Sequence, residues 1–278
     1  PQTGLPQRWY GLPFAPARLA LSDDGSVAYA SSVDGTEIRR LNLADGRVDA
    51  AVKLSAGTVV GDIRVTPGRP DLLVVSRFQN AAVPAFVDVS AYKEGVRLAR
   101  SSARPSYALL APGTAGEVWT AFDDSGRFNR FQVDDSGVNF LSTTGDRVSR
   151  YATRWLPAGD RIVDNLGQVH ARFDGNWVGQ LPFPQTLVPL ATDPVSGRVC
   201  TLTPHPAVPG LSRLTRWDAS ALHAVADTLL TEFSGGASLL ACSTGASFCV
   251  GGRSASGPGI AVVGRSRLTG VQIGRAHV

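Results

Sequence analysis

The sequence predicts an all-β fold assembled from one four-stranded unit repeated along the chain. Three observations carry that expectation. First, Leu19, Leu21, Val27 and Tyr29 alternate on either side of Asp23-Asp24-Gly25, the period-two pattern of half-buried strands joined by a hairpin. Glycine accepts the positive φ of such a turn, and aspartate can bond its own backbone. Second, the turn recurs. Gly25, Gly68, Gly116, Gly159, Gly197 and Gly245 are spaced by about 38 to about 48 residues, about 44 on average, which is the period of a β-propeller blade. Third, helical periodicity is nearly absent; Asp218–Leu229, the one ambiguous segment, reads as turn plus strand. A β-sandwich also gives short strands at regular spacing, but six similar units at one period favour a propeller, whose blades bury their two faces by stacking on neighbours.

The units follow in order. The first has strands near Arg18–Ser22, Val27–Ser32, Glu37–Asn42 and Val48–Leu54, with turns at Asp24-Gly25, Asp34-Gly35 and Asp45-Gly46. The second runs through Asp62–Val65, Leu72–Val75, Pro84–Val89 and Val96–Ala99. The third is Ser106–Leu110, Glu117–Phe122, Arg127–Val133 and Val138–Leu141. The fourth is Ala152–Leu156, Arg161–Asp164, Gln168–Phe173 and Trp177–Leu181. The fifth is Leu187–Thr192, Val199–Thr203, Ser212–Asp218 and Ala224–Leu230, interrupted by a Pro-rich loop at Pro204–Gly210. The sixth is Ser238–Ser243, Ser247–Gly251 and Gly259–Val263, with a remnant near Arg267–Gly270. About six blades are visible. Residues 1–16 read as the end of a preceding blade and an entry loop, and 17–268 as the blades. The intact propeller is expected to have seven blades or more, with further blades or domains outside this chain.

Composition bounds the rest. Hydrophobic residues make up 43% and charged residues 18% of 278, a globular balance. No apolar run approaches the roughly 18 residues of a membrane span, and no signal peptide is visible. The chain starts at Pro1 and contains no Met, so it reads as an internal fragment. The formal charge is +4, carried almost wholly by scattered arginines, the usage a GC-rich genome produces. Nucleic-acid binding needs a concentrated basic patch, and none is present. Cys200, Cys242 and Cys249 form no zinc spacing. Cys242 and Cys249 flank the turn around Gly245, so they pair across a hairpin as a disulfide or stay as buried thiols. The end, Ile273-Gly274-Arg275-Ala276-His277-Val278, back-translates as ATC-GGA-AGA-GCA-CAC-GTC, which looks like a short-read sequencing adapter. Residues 269–278 are therefore expected to be a non-native tail.

The stretch Ala17-Arg18-Leu19-Ala20-Leu21-Ser22-Asp23-Asp24-Gly25-Ser26-Val27-Ala28-Tyr29-Ala30, continued by Thr36–Leu43 and Asp45-Gly46-Arg47-Val48, resembles the YVTN and lactonase-like propeller repeats of bacteria. Asp62–Ser76 resembles a blade of envelope propellers. The resemblance implies a bacterial propeller from an extracellular, periplasmic or cell-surface location. It specifies a blade and no activity, because such families include lactone hydrolases, relatives of quinoprotein dehydrogenases and adhesion-type proteins.

No G-x-S-x-G elbow, phosphate loop or metal-ligand cluster occurs. The acidic turns Asp23-Asp24-Gly25, Asp123-Asp124-Ser125-Gly126 and Asp134-Asp135-Ser136-Gly137 lack the longer ligand spacing of a calcium loop and read as hairpin chemistry. His170, His205 and His223 stand alone. Trp119, Trp155, Trp177 and Trp217 recur inside strands, as packing residues do. In a blade, the connection between the second and third strands opens on the same face as the inter-blade connection. Those connections carry Asp34, Arg77, Gln79, Asn80, Asp123, Asp124, Asp164, Asn165, His205 and Arg253, with Arg104 and Tyr151 between blades. The candidate rim for a protein or polar ligand is therefore Arg77, Asn80, Asp123, Asp124, Asp164, Asn165, His205 and Arg253. With no catalytic set and no cofactor platform, the sequence favours a non-catalytic binding or scaffolding module without cofactor or metal. The alternative is a lactonase-like hydrolase acting on a cyclic ester, drawing a base and a clamp from Asp123, Asp164, His205, Arg77 and Arg253.

Overall fold

The computed structural model describes residues 12–14, 16–22, 24–104, 109–113, 116–121, 126–145, 147–149, 152, 154–182, 190–193, 196–205, 207–208, 212–230, 235–241, 248–254, 257–263 and 273–275. At 50, 112, 118–121, 193, 228, 230 and from 235 onward the description is of backbone alone. The described residues form strands without a helix, grouped into six four-stranded antiparallel meanders that are propeller blades. Blade 1 is β1 (Pro16–Leu21), β2 (Val27–Ser32), β3 (Glu37–Asn42) and β4 (Val48–Lys53). Blade 2 is β5 (Thr58–Thr66), β6 (Arg69–Gln79), β7 (Phe86–Lys93) and β8 (Val96–Ser102). Blade 3 is β9 (Leu110–Pro112), β10 (Glu117–Ala121), β11 (Phe128–Asp134) and β12 (Gly137–Thr144). Blade 4 is β13 (Trp155–Ala158), β14 (Arg161–Asp164), β15 (Gln168–Ala171) and β16 (Trp177–Gln180). Blade 5 is β17 (Leu190–Asp193), β18 (Arg198–Pro204), β19 (Ser212–Asp218) and β20 (His223–Leu230). Blade 6 is β21 (Gly235–Ala241), β22 (Phe248–Ser254), β23 (Gly257–Val263) and β24 (Ile273–Arg275). The remnant expected near Arg267–Gly270 lies outside the described residues; β24 pairs with β23, Ala261 opposite Ile273.

The chain divides into two compact units. One comprises Tyr10–Tyr151 with Ala171–Trp177, and the other Pro1–Trp9, Ala152–His170 and Val178–Val278. In the first unit, β6 shows why its sequence is a continuous apolar run. Leu73 and Val75 pack with Ala20, Val27, Tyr29, Ile38 and Val52 of blade 1. Leu72 and Val74 pack with Leu110, Phe131, Val133 and Val138 of blade 3. A strand buried on both faces has no polar alternation to show. In the second unit, Ala158, Val163, Val169 and Leu181 pack on Leu190, Val199, Trp217 and Ala219.

Blade 1 corrects one sequence expectation. Leu19 and Leu21 do not share the buried face of Val27 and Tyr29, because Ala20 stands opposite Tyr29, and Leu19 and Leu21 stand opposite Ala30 and Ala28. Ala20 is buried, whereas Leu19 and Leu21 are 69% and 52% exposed. The alternation was legible, but its parity is set by the register across the turn.

Blades 2 and 3 differ from the others by sharing one eight-stranded sheet, in which outer strands β8 and β12 meet in parallel at Arg100 and Gly137. The Arg100 N–H donates to the Ser136 carbonyl at 3.0 Å. Gly137 has φ +123°, and a Cβ there would lie 2.2 Å from the Arg100 carbonyl oxygen, so only glycine permits the approach.

Candidate functional site

The rim of the first unit is built from the β2–β3 turn, the β4–β5 linker and the β6–β7 loop, and backbone bonds tie the three together. The Val60 N–H donates to the Gly35 carbonyl at 2.9 Å, and the Asn80 N–H to the Gly57 carbonyl at 2.9 Å. Gly35 sits at φ +69° with its would-be Cβ 3.1 Å from the Val60 nitrogen, so the turn lies directly on the start of β5.

Arg77 sits beneath this rim and is directed inward. It is 3% exposed. Its Nε and Nη2 donate to Asp88 Oδ1 and Oδ2 at 2.7 and 2.6 Å, while Nη1 donates to Ser55 Oγ at 2.9 Å. Arg97 adds a second cation at 2.9 Å from Asp88 Oδ2, and Ser90 Oγ donates to Oδ1 at 2.9 Å. Burial works to raise the Asp88 carboxyl, but Arg77 and the Ser90 and Ser101 hydroxyls overcome it and hold the group below the ordinary range. The Asp88 bond in turn raises the Arg77 guanidinium above its usual value. Arg77 thus braces the linker through Ser55 and is unavailable as a clamp on a ligand. Asp88, Ser55 and Arg97 were not singled out from the sequence. The signal was there: an arginine inside Val74-Val75-Ser76-Arg77-Phe78 demands a buried carboxylate, and Phe86-Val87-Asp88-Val89 supplies one.

Asp164, in the second unit, also points inward. It is fully buried, and its Oδ1 accepts the N–H groups of Leu166 and Gln168 at 2.9 and 2.8 Å. Its buried Oδ2 has no hydrogen-bond partner among the described residues. Burial pushes its carboxyl up to about 7, against the backbone donors of Gln168, Leu166 and Gly167. Asn165 is buried beside it. His205 is half-buried, and its Nδ1 accepts the Ala207 N–H at 3.3 Å. Asp123, Asp124 and Tyr151 lie outside the described residues, as does Cys242, and for Arg253 and Cys249 the description stops at the backbone. Cys200 is a buried free thiol, pushed up by burial into the unreactive form. Arg104 spreads its guanidinium 4.0 Å from the Phe140 ring centroid.

The acidic turns use their carboxylates locally. Asp24 accepts Ser22 Oγ at 2.6 Å, the Ser26 N–H at 3.0 Å and Ser26 Oγ at 2.8 Å. The Ser22 hydroxyl, with Ser26, lowers its carboxyl to about 2. Asp34 repeats the arrangement with Ser32 and Thr36. Both follow the pattern Ser-x-Asp-Gly-Ser/Thr, which is readable in the sequence. Asp134 caps its own turn through Ser136, while Asp135 binds Arg69 at 2.9 Å and Lys93 at 2.8 Å across blades 2 and 3. Among the described residues no group of three or more His, Cys, Asp or Glu side chains is placed to hold a metal ion.

On the β6–β7 side of this rim the solvent-facing residues are uncharged, while Asp34 of the β2–β3 turn stays exposed. Gln79 to Ala85 are all exposed, and Val83 is 85% exposed. No protein-family model matches the chain, and no curated protein matches it either. Solved structures do. The Dos1 propeller is 11% identical with a TM-score of 0.59, covering 95% of this chain and 72% of its own. AztD from Citrobacter koseri is 13% identical with a TM-score of 0.59, covering 95% and 75%. The dihydro-heme d1 dehydrogenase NirN, in complex with DHE, is 13% identical with a TM-score of 0.56, covering 90% and 54%. At these identities the likeness is one of fold, and the fold of this chain is the β-propeller.

Proposed function

We propose that the chain is a non-catalytic binding or scaffolding propeller of an exported bacterial protein, related to the YVTN and lactonase-like repeats. One observation carries this reading. Arg77 turns inward onto Asp88 and Ser55, as Asp164, in the other unit, turns onto its own turn, and beside Arg77 the β6–β7 loop from Gln79 to Ala85 exposes only amide and small apolar groups. Such a surface suits a protein partner, where charge is depleted at the contact centre. General acid–base work needs a titratable group within reach of substrate, and Arg77 and Asp164 are sealed from it. The envelope-type blade around Asp62–Ser76 and the extracellular, periplasmic or cell-surface setting belong to the same reading. No helix among the described residues is long and apolar enough to cross a membrane.

The test is a pH-stat assay of the purified chain with five- and six-membered lactones. No acid release above the buffer rate is expected. Turnover that disappears in His205→Ala or Asp164→Asn would overturn the reading in favour of a hydrolase.

A further inference from the structure

Four Asp-Gly pairs stand in the hairpin turns of this chain: Asp24-Gly25, Asp34-Gly35, Asp45-Gly46 and Asp174-Gly175. Each pair carries the reactants of a spontaneous rearrangement, because glycine has no Cβ to keep its amide nitrogen from the carboxyl carbon of the preceding aspartate. In all four the glycine N–H is engaged by a main-chain carbonyl. Gly25 donates to Ser22 and Gly35 to Ser32, both at 3.0 Å; Gly46 donates to Asn42 and Gly175 to Ala171, both at 2.9 Å. The nucleophile is restrained alike in every turn, so the carboxylates make the difference.

Asp24 accepts the Ser22 and Ser26 hydroxyls and the Ser26 N–H, and Asp34 accepts the Ser32 and Thr36 hydroxyls and the Thr36 N–H. These bonds, those of Ser22 and Ser32 foremost, hold both carboxyls below the ordinary range, and an ionised carboxylate has no good leaving group. Asp174 accepts the Asn176 N–H at 3.0 Å and the Asn176 side-chain amide at 2.7 Å. Its turn is also wedged in place. Thr144 Oγ1 donates to the Asp174 carbonyl at 2.7 Å, and a Cβ on Gly145 would lie 2.3 Å from the Gly175 carbonyl oxygen. Asp45 differs. It is exposed and accepts a single bond among the described residues, from the Arg47 N–H at 2.9 Å. Arg47 stands where the other turns have Ser26, Thr36 and Asn176, and Leu43 where two of them have Ser22 and Ser32.

We propose that Asp45-Gly46, in the β3–β4 turn, is the site at which the folded chain isomerises to isoaspartate, the other three turns being protected by their own side chains. The Gly46 nitrogen gives its proton to solvent and bonds to Asp45 Cγ. A Cγ–O bond breaks, and the carboxyl oxygen leaves as water, which closes a succinimide ring. Water then adds at the Asp45 main-chain carbonyl carbon, whose bond to the Gly46 nitrogen breaks. The chain now runs through Asp45 Cβ and Cγ and carries a free main-chain carboxylate. One water leaves and one enters, so no other reactant is needed. The product lengthens the turn by one carbon just ahead of β4, which pairs only with β3 among the described strands. The contacts it disturbs are the ones that span the turn, the Asn42 N–H on the Arg47 carbonyl at 2.9 Å and the Arg40–Asp49 ion pair at 2.9 Å.

The experiment incubates the folded chain in warm neutral buffer, with a parallel sample unfolded in urea, and maps isoaspartate at each Asp-Gly pair by electron-transfer fragmentation of the digested peptides. In the folded chain Asp45 should convert at least about fivefold faster than the other three, the rate equivalent of one net hydrogen bond. In urea, without the turns, the four rates should converge. Ser26→Ala should quicken Asp24 and leave Asp45 unmoved, whereas Asp45→Glu, which would need a larger ring, should remove the folded-state signal. Unchanged melting curves check folding. Equal rates in the folded chain, another pair faster than Asp45, or no conversion at Asp45 while the urea sample converts would overturn the assignment. Indifference of Asp24 to Ser26→Ala would overturn the protection ascribed to the side chains.

Discussion

Two buried carboxylates, Asp88 in blade 2 and Asp164 in blade 4, solve the same desolvation problem in opposite ways. Asp88 is matched by Arg77 and Arg97 and stays ionised. Asp164 has two backbone donors on one oxygen and, among the described residues, none on the other, and its carboxyl rises to about 7. The contrast shows that a charged residue at the end of a strand, where the sequence suggested a connecting loop, need not serve a ligand. Arg77 and Asp164 were both expected on the rim, and both serve the blade.

The largest break in the comparison is Arg77→Ala. It leaves Asp88 buried with only the half-exposed Arg97, and breaking a buried pair costs about 3–5 kcal/mol. Urea unfolding of the variant should show that loss, and Arg77→Leu combined with Asp88→Leu should recover part of it. A loss below about 1 kcal/mol would mean that the pair contributes little and that Arg77 is not the brace described.

The next effect separates the two groups by pH. Asp164 is raised in the folded state, so its stabilisation is complete below the ordinary value of 3.8 and is lost as pH rises through about 7. A shift of that size corresponds to about 4 kcal/mol. Asp88 is lowered, so its contribution is present above the ordinary 3.8 and is lost as pH falls below it. Stability should therefore peak on the acid side of neutrality. Asp164→Asn keeps the Oδ1 acceptor and cannot ionise. Unfolding curves should show it more stable than the parent at pH 8 by about 2–4 kcal/mol, with the gap narrowing to about 1–2 kcal/mol at pH 5 and closing only below the ordinary 3.8. Parallel pH profiles for the two chains would refute the assignment.

Smaller and more local is Gly137→Ala. The added methyl meets the Arg100 carbonyl at 2.2 Å in a backbone conformation that favours glycine, at a cost of about 1–3 kcal/mol. Amide exchange at Arg100 should quicken while blade 5 is unaffected. Unchanged protection at Arg100 would show that the parallel contact is not what joins blades 2 and 3.

The blades were legible because their signals are local: Asp-Gly turns fix hairpins, and alternation marks strands. Val27–Ser32, Glu37–Asn42, Arg161–Asp164 and Ser212–Asp218 fall where the pattern puts them. Non-local events were not legible. The parity of Leu19 depends on register across a turn, and the eight-stranded sheet depends on two outer strands meeting at one glycine. Topology let rim positions be expected, but the direction of Arg77 depends on which residue of β7 stands opposite it. That residue is Asp88.

The finest test lies in the turns the sequence did announce. In Ser22-Asp23-Asp24-Gly25-Ser26 the Ser22 hydroxyl is the main cause of the low Asp24 carboxyl, about 2, and Ser32 plays the same part for Asp34. Ser22→Ala should let Asp24 titrate nearer 3.8 while Asp34 is unmoved, and Ser32→Ala should do the converse. Side-chain carboxyl shifts followed by NMR over acid pH read both at once. These carboxylates are exposed, so the global melting curve should barely respond. If Asp24 keeps its low value without the Ser22 hydroxyl, the backbone of the turn rather than the Ser-x-Asp-Gly pattern holds it. The pattern would then lose its meaning as a mark of this blade.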